Sequence, residues 1–527
     1  MKKASWISKS RKIKPIKGFG MKKSMPNLTF LGLLGLLFFF NGGLSANDRQ
    51  KEQSFENEIS GLIQPFIEND LFQGRVLVAK NGKVIFNKGY GFANMEWEIP
   101  SNPETKYRIA SISKQFTDLI ILQLVSEGNI KLEGKIRDYL PSYRKETGEK
   151  VTIHQLMSHT SGIPNGGHIV NGFWSRSEHT RINYSKKDFI EKFCSGDLEF
   201  EPGTQFRYTS VGYIILGAII EEICGKPYPE VFAERIAKKI GLHNTECDDN
   251  LSLVANRASG YARDSFGWKN SDYHYMPILD GAGTVLTTTE DLYKYDQALY
   301  TEKLLAREYL DLFFKPIVAY SEPSFFSSGG YYSYGWIISL LPDAKSRDGI
   351  KIISHGGSIR GGSGFFGRQV DKNISVIILS NTEIGSPALR EIGMDILRIL
   401  NGLEPLNSYK IPVRLVIGKE IVGNGFNAAV EKYEDLKRND FQLFDFRENQ
   451  LNSLGYNLIN KGMISEAIAM LKLNVEAYPD SANVYDSLAE AFMLSGRNDL
   501  AIKNYEKSLR LNPENANARL MLEKLKK

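Results

Sequence analysis

Apolar positions along the chain recur with two different periods. Arg75-Val-Leu-Val-Ala-Lys80 and Lys83-Val-Ile-Phe86 are short apolar runs on either side of Asn81-Gly82. That dipeptide readily takes the left-handed conformations of a tight turn, so the pattern predicts a β-hairpin. Residues 50–70 read as a first helix. After Ser111, the residues Ile112, Phe116, Leu119, Ile120 and Leu124 fall at helical spacing and stop near Gly128, which predicts an amphipathic helix. The middle of the chain, to about Leu299, is helix-rich with long loops. Strands return at Ile352, around Phe365 and from Ile374 to Leu379, and a helix from about Ala388 to Leu400 closes the unit. This order predicts an α+β unit over residues 47–402, an antiparallel sheet flanked by helices plus a helical lobe. The Ser111 helix is expected at their junction, where clefts tend to form.

Residues 403–424 read as a linker. Beyond them, from 425 to 527, the pattern is helical and repeats. Leu454 and Leu488, Gly462 and Gly496, Ala467 and Ala501, and Pro479 and Pro513 all recur at one spacing of 34. Small residues return where two helices would pack, and proline returns after the second helix. This all-α segment is similar to the tetratricopeptide repeat, which implies a possible protein partner. The helices near Asn427–Arg438 and Ala516–Leu525 are expected to cap the array, since two full repeats are few for independent stability.

Charge changes the picture only at the N-terminus. The formal net charge is +5, with 66 basic and 61 acidic residues among 527. Residues 1–46 hold nine of the basic residues and no acid, so the remainder is slightly acidic, at −4. The basicity therefore gives no case for nucleic-acid binding. A basic stretch, the apolar run Leu28–Phe40 and the small-residue end Asn-Gly-Gly-Leu-Ser-Ala46 read as a signal peptide cleaved before Asn47. The run is short for a membrane span, so membrane attachment is expected only if the leader stays uncleaved. Met21 offers a second start. The expected location is periplasmic or secreted. Three cysteines, Cys194, Cys224 and Cys247, cannot form a closed disulfide set and are read as buried thiols.

The candidate chemistry begins at Arg108-Ile-Ala-Ser111-Ile-Ser-Lys114. Residues i and i+3 share a helix face, so hydroxyl and amine can meet. A lysine held out of water binds its proton less well and can deprotonate a serine. A second copy of this spacing, Ser142-Tyr-Arg-Lys145, lacks an apolar stripe and reads as a surface turn. Further on come Glu201-Pro-Gly-Thr-Gln-Phe-Arg-Tyr208-Thr-Ser210, ahead of a strongly apolar run, and Ser354-His355-Gly-Gly357-Ser358, on a strand. Between them lie Val151-Thr-Ile-His-Gln-Leu-Met-Ser-His-Thr-Ser-Gly-Ile-Pro164 and Gly281-Ala-Gly-Thr-Val-Leu.

In this order the motifs resemble the serine β-lactamase and D,D-peptidase superfamily, in its class C-like branch, over roughly residues 55–400. The resemblance implies Ser111 as acyl-forming nucleophile, Lys114 as its base partner and Tyr208 as a second proton-transfer group. His355 and Gly357 match the third motif, and the backbone N–H groups of Ser111 and Ser358 would form the oxyanion hole. Ser210 stands where the family usually has asparagine, and its shorter side chain is expected to reach Lys114 only through water. His355 stands where class C enzymes have lysine, so binding of a substrate carboxylate could follow histidine titration near neutral pH.

No metal or organic cofactor is implied. His154 and His159 lie five apart, off the helical metal spacing, and His159 sits in a stretch that resembles a structural loop of the family. Gly362-Ser-Gly-Phe-Phe-Gly367 leads into a strand rather than a helix, so its glycines read as hairpin and close-approach residues. Tyr331, Tyr332, Tyr334 and Trp336 either line a cleft or fill core. The expected substrate is a small molecule or peptide: a D,D-peptide, a β-lactam or an ester. The alternatives are a catalytically weak binding protein of the same fold, or an esterase. Every motif residue precedes the repeats, so the chemistry is expected not to need them.

Overall fold

The computed structural model describes residues 46–165, 181–320, 330–343, 346–407 and 409–526. The signal-peptide reading falls on residues outside this range, apart from Ala46. No helix among the described residues is long and apolar enough to cross a membrane.

The main sheet has eight strands, numbered here in chain order: β1 (Gly74–Lys80), β2 (Lys83–Tyr90), β3 (Val318–Tyr320), β4 (Gly330–Tyr332), β5 (Ile337–Asp343), β6 (Ser346–Ile359), β7 (Gly362–Gln369) and β8 (Ile374–Ser380). Their spatial order is β3-β4-β5-β6-β7-β8-β1-β2, and every neighbouring pair is antiparallel. The expected hairpin is present, with Asn81 and Gly82 both at positive φ (53° and 70°) and Lys80 opposite Lys83.

Side chains alternate across a strand, and here the alternation divides two cores. Leu77, Phe366, Ile377 and Leu379 face one hydrophobic cluster, and Val76, Val78, Phe365, Val376 and Ile378 face the other. The first cluster holds the helical lobe, including α2 (Lys114–Ser126) and α3 (Ser210–Cys224). The second is covered by α1 (Ala46–Glu68), through Ile59 and Ile63, and by α4 (Ser386–Leu400), through Leu389 and Ile396. Helix α2 departs from the sequence expectation: it is buried on every side from Lys114 to Leu124, so it is a core helix rather than an amphipathic one.

The C-terminal helices share the second core. Residues 403–424, read as a linker, include α5 (Val413–Asn424), whose Ile417 and Ile421 are buried in the same cluster as the sheet. A Cβ on Gly418 would overlap the carbonyl oxygen of Ser265, so the helix backbone lies directly on the α+β unit. Asn457 also donates to Ser265 Oγ, at 2.8 Å. After α6 (Phe426–Asn439) come α7 (Glu448–Asn460), α8 (Ile464–Ala477), α9 (Ala482–Leu494), α10 (Asn498–Leu511) and α11 (Ala516–Leu525). The first residues of α7, α9 and α11 are 34 apart, as are those of α8 and α10. A buried bond recurs at the same interval: Asn474 donates to the Glu448 carbonyl and Ser508 to the Ala482 carbonyl, at 3.0 and 2.8 Å. Gln50–Lys527 form one compact unit.

The glycines of Gly362–Gly367 lie, all buried, on strand β7 of the β6–β7 hairpin, which turns between Ile359 and Gly362. Gly364 makes room for the Ile112 side chain. Cys194, Cys224 and Cys247 are free; Cys194 is buried and the other two residues are partly so. Ser142 sits in an exposed turn, as its polar surroundings implied.

Candidate active site

Ser111 does not open the α-helix itself. It lies in a 3₁₀ turn, Ala110–Ser113, and α2 starts at Lys114. With three residues per turn, i and i+3 eclipse, which stacks the lysine on the serine more directly than an α-helix would. Lys114 Nζ lies 3.0 Å from Ser111 Oγ. Ala110, just before the serine, has φ +47°, a conformation that is uncommon and costly for a residue with a side chain. The turn is pinned on both sides. Ile109 N donates to the Val285 carbonyl (3.1 Å), and Val285 N donates to Ser113 Oγ (3.1 Å). Strand β6 presses on the turn at Gly357, where a Cβ would overlap the Ile109 carbonyl oxygen.

Lys114 is fully buried, and its Nζ lies within hydrogen-bonding distance of three oxygens, Ser111 Oγ (3.0 Å), Ser210 Oγ (3.3 Å) and the Ala282 carbonyl (2.8 Å); as a neutral amine it donates to the last two and accepts from Ser111. Ser210 therefore reaches the lysine directly, not through water as its length suggested; as the first residue of α3 it is brought close by the helix start. Burial pushes the Lys114 pKa down from 10.5 to about 7, partly opposed by the nearby Asp118 carboxyl. Asp118 lies one turn along α2, is fully buried and accepts from Tyr213 OH at 2.6 Å. Burial pushes its carboxyl well above the usual range.

Tyr208 hydrogen-bonds Ser111, and burial raises its hydroxyl above the ordinary phenol value. It is therefore a protonated phenol at neutral pH, a donor rather than a base. Lys114 Nζ lies 5.2 Å from the centre of its ring.

His355 differs from expectation. Its Nδ1 lies 2.6 Å from the Gly356 carbonyl and its Nε2 3.2 Å from Tyr332 OH. A carbonyl can only accept, so Nδ1 carries the hydrogen and Nε2 accepts from the tyrosine. Burial and the neighbouring Lys114 push its pKa down to about 3. The imidazole stays neutral, and the predicted titration near pH 7 does not occur. Tyr332 is thus part of the site, buried with Tyr334 and Trp336, while Tyr331 is exposed. Among the described residues no strand pairs with β6 beyond Ser354 on its β5 side, where Gly357 and Ser358 lie. Ser358 is exposed and Ser111 half-buried.

The structure thus brings Ser111, Lys114, Tyr208 and Ser210 together, and sets His355, Gly357 and Ser358 on the strand beside them. Sequence reasoning missed Asp118, Tyr213 and the Ala282 carbonyl. Asp118 had a signal, since it follows Lys114 by one helical turn. The carbonyl had none beyond the glycines that flank it.

A half-buried serine and tyrosine beside a fully buried lysine, between an antiparallel sheet and a helical lobe, define a serine hydrolase of the β-lactamase and penicillin-binding-protein type. The chain belongs to the beta-lactamase family, whose model matches residues 59–399. It is similar to penicillin-binding protein 4* of Bacillus subtilis (strain 168), 28% identical over 347 residues that span 63% of this chain and 73% of the relative. Protein flp of Staphylococcus aureus (strain MRSA252) is 26% identical over 340 residues, spanning 62% of this chain and 63% of flp. Among solved structures, the octameric penicillin-binding protein homologue from Pyrococcus abyssi aligns with a TM-score of 0.54 at 29% identity, covering 68% of this chain and 78% of that one. The family match ends before α5.

Proposed function

We propose that this protein is an exported serine acyl hydrolase that forms an acyl-enzyme on Ser111. The observation that carries this reading is the 3.0 Å contact between Ser111 Oγ and Lys114 Nζ, with the amine held near neutrality by burial. Neutral Lys114 takes the Oγ proton as Oγ attacks the substrate carbonyl carbon. The oxygen that gains charge is met by the N–H groups of Ser111 and Ser358. As the carbonyl re-forms, Tyr208, a phenol hydrogen-bonded to Ser111, gives its hydroxyl proton to the leaving group and takes one in return from protonated Lys114, which goes back to the neutral amine. Water then attacks the acyl group by the reverse proton path and frees Ser111.

Peptidoglycan stem peptides and the β-lactams that mimic them are the natural substrates for this arrangement, in keeping with the penicillin-binding names of its relatives. One observation favours a second reading, a neutral ester or amide. His355 is uncharged with both ring nitrogens engaged, so it supplies no cation to a substrate carboxylate. Helices α7–α11, with their 34-residue recurrence, act in this proposal as tetratricopeptide-type repeats that hold a protein partner. The basic, apolar leader accounts for export. Side-by-side labelling with a fluorophosphonate and a fluorescent penicillin, with peptide mapping, tests the nucleophile. Adduct on Ser111 that is lost in Ser111→Ala supports it; adduct elsewhere, or none on the folded wild type, refutes it. Loss of penicillin labelling alone, with ester turnover kept, selects the ester reading.

A further inference from the structure

The stretch Ser158-His-Thr-Ser-Gly162, which resembles a structural loop of the family, does more than fill space. It runs alongside residues 199–209 and holds them by a ladder of bonds. Glu199 N donates to the Gly162 carbonyl (2.8 Å), Gly203 N to the Thr160 carbonyl (2.8 Å) and Arg207 N to the His159 carbonyl (2.8 Å). The last rung uses a side chain: Thr209 N donates to His159 Nδ1 at 3.2 Å. His159 thus grips the backbone on both sides of Tyr208, by its own carbonyl before it and its ring nitrogen after it.

The ring of His159 also packs on the tyrosine itself. The ring centroids of His159 and Tyr208 are 4.3 Å apart, and the imidazole further meets Tyr332 (4.6 Å) and Tyr213 (5.2 Å). Those two tyrosines hold His355 and Asp118 respectively. His159 is fully buried, and its φ of +58° is uncommon for a residue with a side chain. Because Nδ1 accepts from a backbone N–H, the ring's hydrogen sits on Nε2, which meets no hydrogen-bonding partner among the described residues. A buried polar atom left unsatisfied, on a strained backbone, is an arrangement that stability alone does not favour.

We infer that His159 is a positioning residue: its carbonyl, its Nδ1 and its ring face together fix the direction in which Tyr208 points its hydroxyl at Ser111. This rests on the serine-hydrolase reading for its catalytic consequence, but not for its structural one. The side chain supplies two separable things, an acceptor for Thr209 N–H and a flat face for Tyr208. Asparagine places its Oδ1 close to where Nδ1 lies and tolerates the left-handed backbone. Phenylalanine keeps the face and loses the acceptor.

The test compares wild type, His159→Asn and His159→Phe in the full chain by two readouts. The first is hydrogen–deuterium exchange of the peptide spanning residues 206–211, which needs no activity. The second is steady-state hydrolysis of a small chromogenic ester. His159→Phe is expected to speed exchange at Thr209 and to cut kcat roughly 100-fold with KM little changed, the loss typical of a misplaced group. His159→Asn is expected to restore slow exchange and to recover kcat to within about tenfold of wild type. Unchanged exchange in His159→Phe overturns the inference, as does a kcat equal to wild type in a variant whose exchange has become fast. Should the wild type neither turn over ester nor label at Ser111 while exchange follows the expected order, the hydrolase reading falls and the positioning of Tyr208 stands.

Discussion

Replacing Lys114 by methionine should abolish activity and yet make the protein more stable at neutral pH. Lysine in the unfolded chain binds its proton up to about pH 10.5, whereas burial lowers the folded value to about 7. Between those limits the unfolded state holds more protons than the folded one, so wild-type stability rises with pH across that window and is lost as the pH falls toward 7. At 1.36 kcal/mol per pH unit, the difference between 10.5 and about 7 corresponds to about 5 kcal/mol. Methionine has a similar length and no proton to lose, so this term disappears. Against it stand the Ala282 carbonyl, which loses its 2.8 Å donor, and Ser210 Oγ, which loses its 3.3 Å donor. A buried acceptor left without a partner costs about 1–3 kcal/mol. Of the two acceptors only the Ala282 carbonyl is fully buried, so with about 2 kcal/mol lost there Lys114→Met should be about 2 kcal/mol more stable than wild type at pH 7, where the wild-type amine is half protonated, and about 1 kcal/mol less stable at pH 10. Urea unfolding of both proteins at a series of pH values measures the difference directly, with tryptophan fluorescence as the signal. Groups remote from Lys114 cancel between the two proteins; Asp118, His159 and His355, which feel its charge, do not. A stability difference that stays constant from pH 7 to pH 10 would refute the claim that burial is what activates Lys114.

Hydrolysis should rise with pH through about 7 as Lys114 loses its proton, with no separate step from His355, whose imidazole is neutral above about 3; a pH profile of kcat/KM reads this, and a limb near 6.5 that vanishes in His355→Gln would contradict it. Lys114→Ala and Tyr208→Phe should each cut acylation by roughly 10²–10⁴, and the double variant should be little worse than the worse single one, because both serve one proton transfer; additive losses measured by fluorophosphonate labelling would separate their roles. Gly357→Ala should cost roughly 10² in kcat, the effect of moving the turn that carries Ser111 by about 1 Å, since its Cβ overlaps the Ile109 carbonyl oxygen; kinetics within twofold of wild type would show that β6 yields instead. Truncation after residue 405 should give an insoluble chain, because α5 and α7 bury their apolar residues in the same cluster as Val376 and Ile378; a soluble, monomeric and fully active fragment would show that this face needs no cover.

The fold was legible in the sequence wherever local pattern and tertiary demand agree. The Asn81-Gly82 hairpin, the return of strands at Ile352 and Ile374, and the 34-residue recurrence are all set by short-range chemistry: turn geometry, alternation and helix packing. Two features were not legible because they depend on what packs against a segment. Helix α2 looks amphipathic only if its polar residues, Lys114, Gln115, Thr117, Asp118 and Gln123, are taken to face water, and all of them are buried. The stretch 413–424 looks like a linker because its residues lack a single apolar face, yet it is clamped between residues 265–270, where Gly418 meets Ser265, and helices α6 and α7, where a one-sided face is not needed.

The same division runs through the site. Spacing alone brought Ser111 and Lys114 to each other, whereas the direct contact of Ser210 with Lys114 was not legible, because it depends on where the start of α3 packs. Protonation states were beyond it, because these are set by burial. His355 would titrate near neutrality in water; the Gly356 carbonyl and Tyr332 fix its tautomer, and desolvation beside Lys114 holds it neutral. Tyr208 and Lys114 have similar ordinary pKa values, and a sequence cannot say which of the two gives up its proton first. Burial disfavours the charged form of each, which drives the phenol up and the amine down. The same desolvation therefore makes one partner a base and keeps the other a donor, and a cluster with a neutral amine, a phenol and a serine hydroxyl within one hydrogen-bonded group can pass a single proton without ever burying an isolated charge.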